Sequence, residues 1–391
     1  MSNSKTNVIN FVNSLRVTPC HYRLSKHTDC TIYSSIFALF IYDLLDELSS
    51  WTKPEKEMWI DYINSFQDKE SGLFFPQHFS QIDIYSKANL QLTSFCLSAL
   101  FLLEGMPKYD LRFIEGWRTK ENVNEYLRKH GCWEGKLGSG NFAMFLGIFL
   151  TYSHESNNSS QMMEMINAWF EHHDKYQNRH TGFWGKRTIN KYFWGFQNAF
   201  HQFVIYDYWN RPILYYDKAV DTILKLQDRD GLFAMSPGGG GCWDYDAIHL
   251  LVILGLKNDY RREAIKESLL HAYRSLVASQ NTDGGFCESR MRPNSIIQSI
   301  NNWPFYFTGD NPYVWWSRFK TTSIISLKKE LFIKNQWTSI GHAWHESDLW
   351  NTWFRLLAIC EIEISIKLKT RLIENCNFHK FIGLGFFNTK E

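Results

Sequence analysis

The sequence predicts an all-α protein, built as a single (α/α)6 toroid of about six helical hairpins. Three observations lead to this prediction. A glycine-aromatic turn recurs at intervals of about 50 to 60 residues, the period expected of a repeat architecture. The helices between the turns alternate between amphipathic and wholly apolar. The chain has 391 residues, of which 44% are hydrophobic and 17% aromatic, enough for one large core.

The recurring turn has the form Gly-x-aromatic and occurs five times: Gly72-Leu73-Phe74, Gly131-Cys132-Trp133, Gly182-Phe183-Trp184, Gly231-Leu232-Phe233 and Gly284-Gly285-Phe286. Four of the five follow a glutamine and a short polar stretch, and these glutamines are Gln67, Gln177, Gln227 and Gln280. Glycine adopts the left-handed conformation of a helix C-terminal cap at little cost. Each turn is therefore predicted to end a helix, and its aromatic residue to pack back on the helix pair.

Two kinds of helix alternate between these turns. The amphipathic segments, predicted to lie outside, are Glu55–Phe66, Ser160–Tyr176, Tyr216–Leu226 and Arg261–Ser279. The almost wholly apolar segments, predicted to lie inside, are Thr31–Leu45, Lys87–Leu103, Asn141–Tyr152, Phe193–Tyr208, Asp246–Leu256 and Leu349–Ile362. We expect one domain over residues 1–391. The segment Asn294–Trp337 interrupts the period and is predicted to be an insertion near the cavity mouth.

An open helical solenoid that binds a protein on its concave face is the alternative architecture. Its inner helices would face water on one side, and the six apolar segments are poorly suited to that position. The closed ring is therefore the preferred prediction.

Composition and charge exclude several functions. The formal net charge is +2, without a basic arm or acidic tail, so nucleic acid is not an expected partner. The start of the sequence lacks the apolar run of a signal peptide. The most apolar stretches are shorter than the ~20 residues of a membrane-spanning helix. Eight cysteines occur without a C-x-x-C pair, so we expect free thiols and a cytoplasmic protein.

The turns that begin at Gln227 and Gln280, Gln-Asp-Arg-Asp-Gly-Leu-Phe and Gln-Asn-Thr-Asp-Gly-Gly-Phe, resemble the repeats of squalene-type terpene cyclases and protein prenyltransferase β subunits. The resemblance covers roughly Thr31 to Ile362 as an architecture and only these motifs as sequence. It implies an α/α toroid with an isoprenoid substrate. The chain has length for one barrel, whereas squalene-type cyclases carry two.

A run of four glycines, Gly238–Gly241, leads into the sequence Cys-Trp-Asp-Tyr-Asp-Ala-Ile-His that ends at His249. Asp244 and Asp246 resemble the D-x-D-D motif of class II terpene cyclases, although Ala247 replaces the third aspartate. The resemblance implies that Asp246 protonates an alkene or epoxide, with Asp244 as its neighbour. Close carboxylates cannot easily both ionise, which favours a protonated acid. The alternative is a helix cap with a solvated neighbour.

Two further clusters are expected beside this acid, because parallel inner helices begin at the same end of a toroid. One contains His345 and Asp348 with Trp344 and Trp353, and the other contains His27 and Asp29. The predicted catalytic residues are Asp246, Asp244, His345, Asp348 and His27. The predicted substrate-binding residues are Trp243, Trp194, His249, Trp344, Trp353, Phe142 and Asp29. Helix capping and core packing are the alternative roles for these side chains.

The preferred functional prediction is class II-type cyclisation of an isoprenoid in a cavity walled mainly by aromatic and aliphatic side chains, drawn from Phe95, Phe142, Trp194 and Trp353. This chemistry requires no cofactor. One alternative is a carbohydrate-active toroid, such as a polysaccharide lyase, glycosidase or epimerase. Another is a zinc-dependent prenyltransferase-like enzyme, with ligands drawn from Cys242, Asp244 or Asp246, and His249 or His345. The expected partner is a small-molecule isoprenoid, which leaves a peripheral membrane contact open. The oligomeric state is not predicted.

Overall fold

The structure, a computed structural model, describes residues 4–76, 85–157, 159–185, 192–291, 296–307, 311–328, 332–368, 372–373, 376–381 and 383. Six buried helices form its inner layer, and one of them continues as a π-helix over Leu251–Leu256. These inner helices are α2 (Ile32–Leu44), α4 (Lys87–Leu102), α6 (Ser139–Asn157), α8 (Tyr192–Tyr208), α10 (Gly241–Leu250) and α15 (Leu349–Ser365).

The inner helices form a closed ring. Each packs against the next in the order α2, α4, α6, α8, α10 and α15, and α15 packs against α2. The predicted all-α toroid is therefore confirmed. Helix α10 begins at Gly241, five residues before the predicted start, because the glycine run approaches the neighbouring helix closely. A Cβ on Gly241 would lie 2.2 Å from Oδ1 of Asn351.

Among the described residues the outer layer also has six helices: α1 (Ser4–Ser14), α3 (Lys53–Asn64), α5 (Lys120–Lys129), α7 (Ser160–Tyr176), α9 (Tyr216–Leu226) and α11 (Arg262–Ala278). Helix α1 was not predicted. It buries Val8, Phe11 and Val12, and its Asn13 accepts a hydrogen bond of 2.7 Å from the Tyr42 hydroxyl on α2. It is the outer partner of α2 and completes the sixth hairpin.

The repeated turns share one hydrogen-bond geometry. The side-chain amide of Gln67 donates to the carbonyl of Gly72 at 2.9 Å, and Gln177, Gln227 and Gln280 make the same bond to the glycine of their own turns. The glycine is required because φ is positive and other backbone lies against it, that of the next outer helix at Gly182, Gly231 and Gly284 and that of Asp110 at Gly72. At Gly284 the position of a Cβ is 2.2 Å from the Asn7 carbonyl oxygen, so α1 closes the outer layer there.

The predicted insertion lies between α11 and α15 and is mostly helical. It contains α12 (Ile296–Asn301), α13 (Trp303–Tyr306), α14 (Pro312–Lys328) and a hairpin of β3 (Phe332–Ile333) with β4 (His342–Ala343). Arg318 anchors α14 to the ring. Its side chain is fully buried, donates to the Leu226 carbonyl at 2.7 Å and pairs with Asp228 at 3.5 Å.

The remaining elements are short. A second hairpin pairs β1 (Arg16–Thr18) with β2 (His21–Tyr22), and 3-10 helices span Leu48–Ser50 and Arg112–Trp117. The core is one continuous cluster between the two helical layers. In the described ranges, each helix is too short or too polar to cross a membrane.

Candidate functional site

A cavity of about 300 Å³ lies at the end of the ring where the inner helices begin. All six inner helices except α2 contribute to it, and the β3–β4 hairpin covers one side. Its apolar wall includes Phe95, Phe200, Trp243, Trp344, Trp350, Trp353, Phe354 and Leu357. Its polar wall includes Lys87, Gln91, Asn141, Gln197, His201, Asp246, Glu288, Asn335, His342 and Asn351. Most of the wall surface is thus apolar, as the sequence predicted, and the polar side chains form the smaller part of it.

Asp246 lies on this wall in the second turn of α10. It is 1% exposed, and its Oδ2 has no hydrogen-bond partner among the described residues. Burial raises its pKa well above the ordinary value, and the nearby charge of Asp244 raises it further. The raised pKa favours the protonated carboxyl, which can act as a general acid.

Asp244 has the opposite surroundings and a structural role. Its Oδ2 is 2.6 Å from Nη1 of Arg355, a buried residue on α15. The carboxylate also accepts hydrogen bonds from the amides of Phe233 at 2.7 Å and Gly240 at 3.0 Å. Asp244 thus fixes the glycine run against the ring, and it does not line the cavity.

His201 lies on α8, the helix next to α10 in the ring, and also lines the cavity. One ring nitrogen, Nδ1, is 2.7 Å from the Gln197 carbonyl oxygen, so this nitrogen carries the proton. Burial lowers the pKa of His201 to about 4, and the charge of Lys87 contributes to the decrease. At neutral pH the imidazole is therefore uncharged, and Nε2 can accept a proton.

Lys87 begins α4 and lines the same cavity. Solvent reaches its side chain, but the surrounding protein lowers its pKa by desolvation. The described residues provide no ion-pair partner for its ammonium group. This cation is available to an anionic group of a bound molecule.

The β3–β4 hairpin and the residues after it form the cover of the cavity. Asp29 holds this cover, because its carboxylate accepts hydrogen bonds of 3.1 Å from the Ser339 amide and 3.2 Å from the Ile340 amide. Asp348 caps α15 through the Asn351 amide and contacts Nε2 of His342 at 3.1 Å. Burial opposes the charge of His342, but Asp348 raises its pKa above the ordinary value.

The structure brings Trp243, Trp344 and Trp353 to the cavity beside Asp246. Other predicted site residues do not line it. His345 and His27 are exposed, and Asp29 and Asp348 hold its cover and helix as described above. His249 pairs with Glu361 at 2.8 Å, and Phe142 stacks on His130. The side chain of Trp194 lies outside the described part of the chain.

The residues proposed for zinc do not converge. Cys242 and Asp246 line the cavity, but His249 is engaged by Glu361 and His345 is exposed. No group of three histidine, cysteine, aspartate or glutamate side chains within the described ranges is arranged to hold a metal ion. This donor set does not fit the zinc site implied by the prenyltransferase resemblance.

Sequence reasoning did not identify Lys87, His201, Glu288 or His342 as site residues. The signal that could have found two of them is the helical spacing of polar residues within apolar helices. Lys87, Gln91 and Phe95 follow an i, i+4, i+8 pattern on α4, and Gln197 and His201 are four residues apart on α8. Glu288 and His342 lie outside helices, where spacing gives no such signal.

The chain matches a known domain family. The model of the prenyltransferase alpha-alpha toroid domain matches residues 3–144 and 143–293, which together form most of the ring. No curated protein matches the sequence.

Solved structures also resemble this one at low identity. A family 88 glycosyl hydrolase from Bacteroides vulgatus has a TM-score of 0.47 and 12% identity, covering 92% of this chain and 98% of its own. A polysaccharide lyase has a TM-score of 0.46 and 11% identity, covering 95% of this chain and 100% of its own. An unsaturated glucuronyl hydrolase from Streptococcus agalactiae has a TM-score of 0.33 and 11% identity, with 94% and 89% covered. By the family model and the closed ring of six hairpins, the chain belongs to the prenyltransferase-type α/α toroid family.

Proposed function

We propose that this protein is a carbohydrate-active enzyme that cleaves an anionic sugar by general acid–base catalysis. The observation that carries the proposal is the pair of ionisable groups on one cavity wall whose pKa values are displaced in opposite directions. Burial raises the pKa of Asp246 and lowers that of His201 to about 4. Opposite displacements allow one group to act as an acid and the other as a base at the same pH.

In the proposed hydrolysis, the carboxylic proton of Asp246 passes to the sugar oxygen that leaves as the carbon–oxygen bond breaks. A water molecule forms the new bond to that carbon, and Nε2 of His201 takes the proton that this water releases. Return of the proton from His201 to Asp246 through solvent restores both groups. The hydrogen bond from Nδ1 to the Gln197 carbonyl fixes the ring and its tautomer for this role.

The walls suit a sugar acid. Amide side chains of Gln91, Asn141 and Gln197 line the cavity beside tryptophan rings. The amides can form hydrogen bonds with sugar hydroxyls, and the tryptophan rings can pack against the apolar face of a sugar ring. Lys87 supplies a cation without an ion-pair partner in the described structure, which favours a carboxylate or sulfate on the substrate. The volume of about 300 Å³ is at the lower end for small-molecule sites.

Isoprenoid cyclisation is the second candidate, and the protonated, buried carboxyl of Asp246 next to aromatic rings supports it. Cyclisation passes through carbocations, which aromatic faces stabilise. However, a carbocation reacts with nearby lone pairs, and this cavity holds the neutral imidazole of His201 together with several amide oxygens. For this reason the carbohydrate reaction is the first choice.

The test compares parent enzyme and Asp246→Asn on two sets of substrates. Uronic acid glycosides with alkyl leaving groups need protonation of the leaving oxygen, whereas p-nitrophenyl uronides release a stable phenolate. We expect Asp246→Asn to lose about 10²- to 10⁴-fold in kcat/KM on alkyl uronides and far less on p-nitrophenyl uronides. Equal losses on both sets would mean that Asp246 is not the acid for glycoside cleavage.

Linear isoprenoids and their diphosphates, incubated in parallel with chromatographic detection of cyclic products, decide between the two candidates. Turnover of isoprenoids with no turnover of uronides would replace the carbohydrate function by the cyclase.

A further inference from the structure

The opposite end of the ring bore is crossed by residues 376–381, which we call the crossing segment. Its first contact is with α2, where the Asn377 amide donates to the Leu44 carbonyl at 2.9 Å. The Asn377 side chain donates to Oδ1 of Asp43 at 3.2 Å, and Nε2 of His379 lies 3.4 Å from Oδ2 of the same carboxylate. These contacts fasten one end of the segment to α2.

The other end of the crossing segment is fastened to α8. Lys380 forms an ion pair with Asp207, and the Phe381 ring packs edge-on against Tyr208 with 5.1 Å between centroids. Helices α2 and α8 are three positions apart in a ring of six, so they lie on opposite sides of the bore. The crossing segment therefore spans the diameter.

The chain then turns into the bore toward the catalytic cavity. At Gly383, where φ is +81°, the position of a Cβ is 3.1 Å from the Phe95 ring and 3.2 Å from the Trp353 ring. Both rings belong to the cavity wall, and Lys380 and Gly383 are themselves part of it. A second cavity of about 940 Å³ lies beyond, and Lys380 lines that cavity as well.

We propose that the crossing segment is the floor of the catalytic cavity and that Lys380 determines how long a substrate the cavity accepts. The inference rests on the proposed function, because it assigns a specificity role at the same site. The upper cavity is the one of about 300 Å³ that contains Asp246, and the lower cavity is the one of about 940 Å³. Without the side chain of Lys380, the two cavities would connect along the bore. With Lys380 in place, the enzyme therefore selects short substrates. Between the bond that is cleaved and the floor there is room for about one sugar residue.

The test measures binding against chain length with Lys380→Ala. The first ligand series is the n-alkyl β-glucuronides from methyl to octyl, which place a sugar acid in the cavity and an alkyl chain of increasing length toward the floor. The second series is the 1-alkanols of the same lengths, which measure the depth of the cavity without any sugar. In the parent, affinity measured by calorimetry should stop rising after the first few carbons. In Lys380→Ala it should continue to rise, by about fourfold for each added methylene.

Lys257→Ala is the matched control. Lys257 also bonds to Asp207, at 3.1 Å, but it directly follows the π-helix and does not line the cavity that contains Asp246. Its affinity curve should match that of the parent. If Lys380→Ala does not fold, Asp207→Asn is the second variant. It removes the carboxylate that holds the Lys380 ammonium group, so the enzyme should accept a longer alkyl chain.

The two series separate the two proposals. If the affinity for 1-alkanols depends on chain length in the same way in the parent and in the folded variant, the proposal that Lys380 forms the floor is wrong, whether or not glucuronides bind. If the alkanol affinities of the parent and the variant diverge with chain length but no glucuronide binds, the result supports the floor formed by Lys380 and counts against a sugar-acid substrate.

Discussion

At the scale of single residues, Asp244 and Asp246 lie two positions apart on α10, and their surroundings give them different chemistry. Asp244 meets the guanidinium of Arg355 at 2.6 Å and two backbone amides. Asp246 is equally buried, but no described cation lies in contact with it. Burial raises the pKa of both carboxyl groups, but Arg355 and the two amides oppose the rise at Asp244, whereas the charge of Asp244 adds to it at Asp246.

The first prediction concerns stability in Asp246→Asn. The native Asp246 keeps its proton at pH values where the unfolded chain, with an ordinary pKa of about 4, has lost it. The parent therefore loses stability as pH rises from about 4 through the raised native pKa. An uncharged asparagine removes this loss, so the variant should become more stable relative to the parent as pH increases. Urea unfolding between pH 4 and 9 measures the difference.

Asp244→Asn is the matched comparison and should behave in the opposite way. It leaves the buried Arg355 cation without its counter-charge, which costs about 3 to 5 kcal/mol. We expect a large loss of stability at neutral pH, measured by urea unfolding. A stable Asp244→Asn variant would contradict the structural role assigned to that carboxylate.

The second prediction is the pH dependence of kcat/KM. The proposed reaction needs His201 uncharged and Asp246 protonated, so activity should fall below about pH 4, where His201 gains a proton, and again as the pH rises through the raised pKa of Asp246. His201→Gln should lower activity and remove the acidic limb of the profile. Circular dichroism at each pH shows whether the fold persists, and an unchanged acidic limb in His201→Gln would exclude His201 as the base.

At the scale of elements, the glycine run before α10 exists because side chains do not fit there. The third prediction uses Gly239, where φ is +75° and a Cβ would lie 2.2 Å from Oδ2 of Asp244. Gly239→Ala should destabilise by clash as well as by backbone strain. Gly138 is the control, since φ is +81° and nothing described lies within 4 Å of its Cβ position.

Gly138→Ala should cost only the strain of the left-handed conformation, about 1 to 2 kcal/mol, and Gly239→Ala clearly more. The urea midpoints of both variants and the parent give the comparison. Similar shifts for the two variants would show that the glycine run is required for its backbone conformation alone.

At the scale of the whole molecule, the ring closes twice, through α2 against α15 in the inner layer and through α1 against the turn at Gly284 in the outer layer. A closed ring has no free end at which unfolding could begin. The stability of any one hairpin is therefore tied to that of the others.

The fourth prediction follows from this closure. Phe11 on α1 is buried and lies against the turn at Gly285, so Phe11→Ala should cost about 3 to 5 kcal/mol. Calorimetry should show one unfolding transition at a lower temperature. Val17→Ala, at an exposed position, is the control and should leave the transition in place. An additional early transition in Phe11→Ala would mean that α1 unfolds independently of the ring.

The sequence by itself determined the architecture, because the signals for it are local. Helical periodicity, apolar composition and the glutamine-glycine turns each occupy a few adjacent residues, and they predicted the six inner helices. Helix α1 escaped prediction because its buried residues Val8, Phe11 and Val12 are few and are surrounded by polar ones. Its place in the ring becomes visible only through its contacts.

The tertiary structure decided the chemistry. The sequence singled out Asp246, but its pKa depends on burial and on the nearby charge of Asp244. Asp244 in turn is held by Arg355, an arginine 111 positions away. His201, Lys87 and the crossing segment reach the cavity from helices and loops far apart along the chain. Electrostatic and packing energies act between neighbours in space, so the pattern of adjacent residues could predict the ring but not which side chains meet inside it.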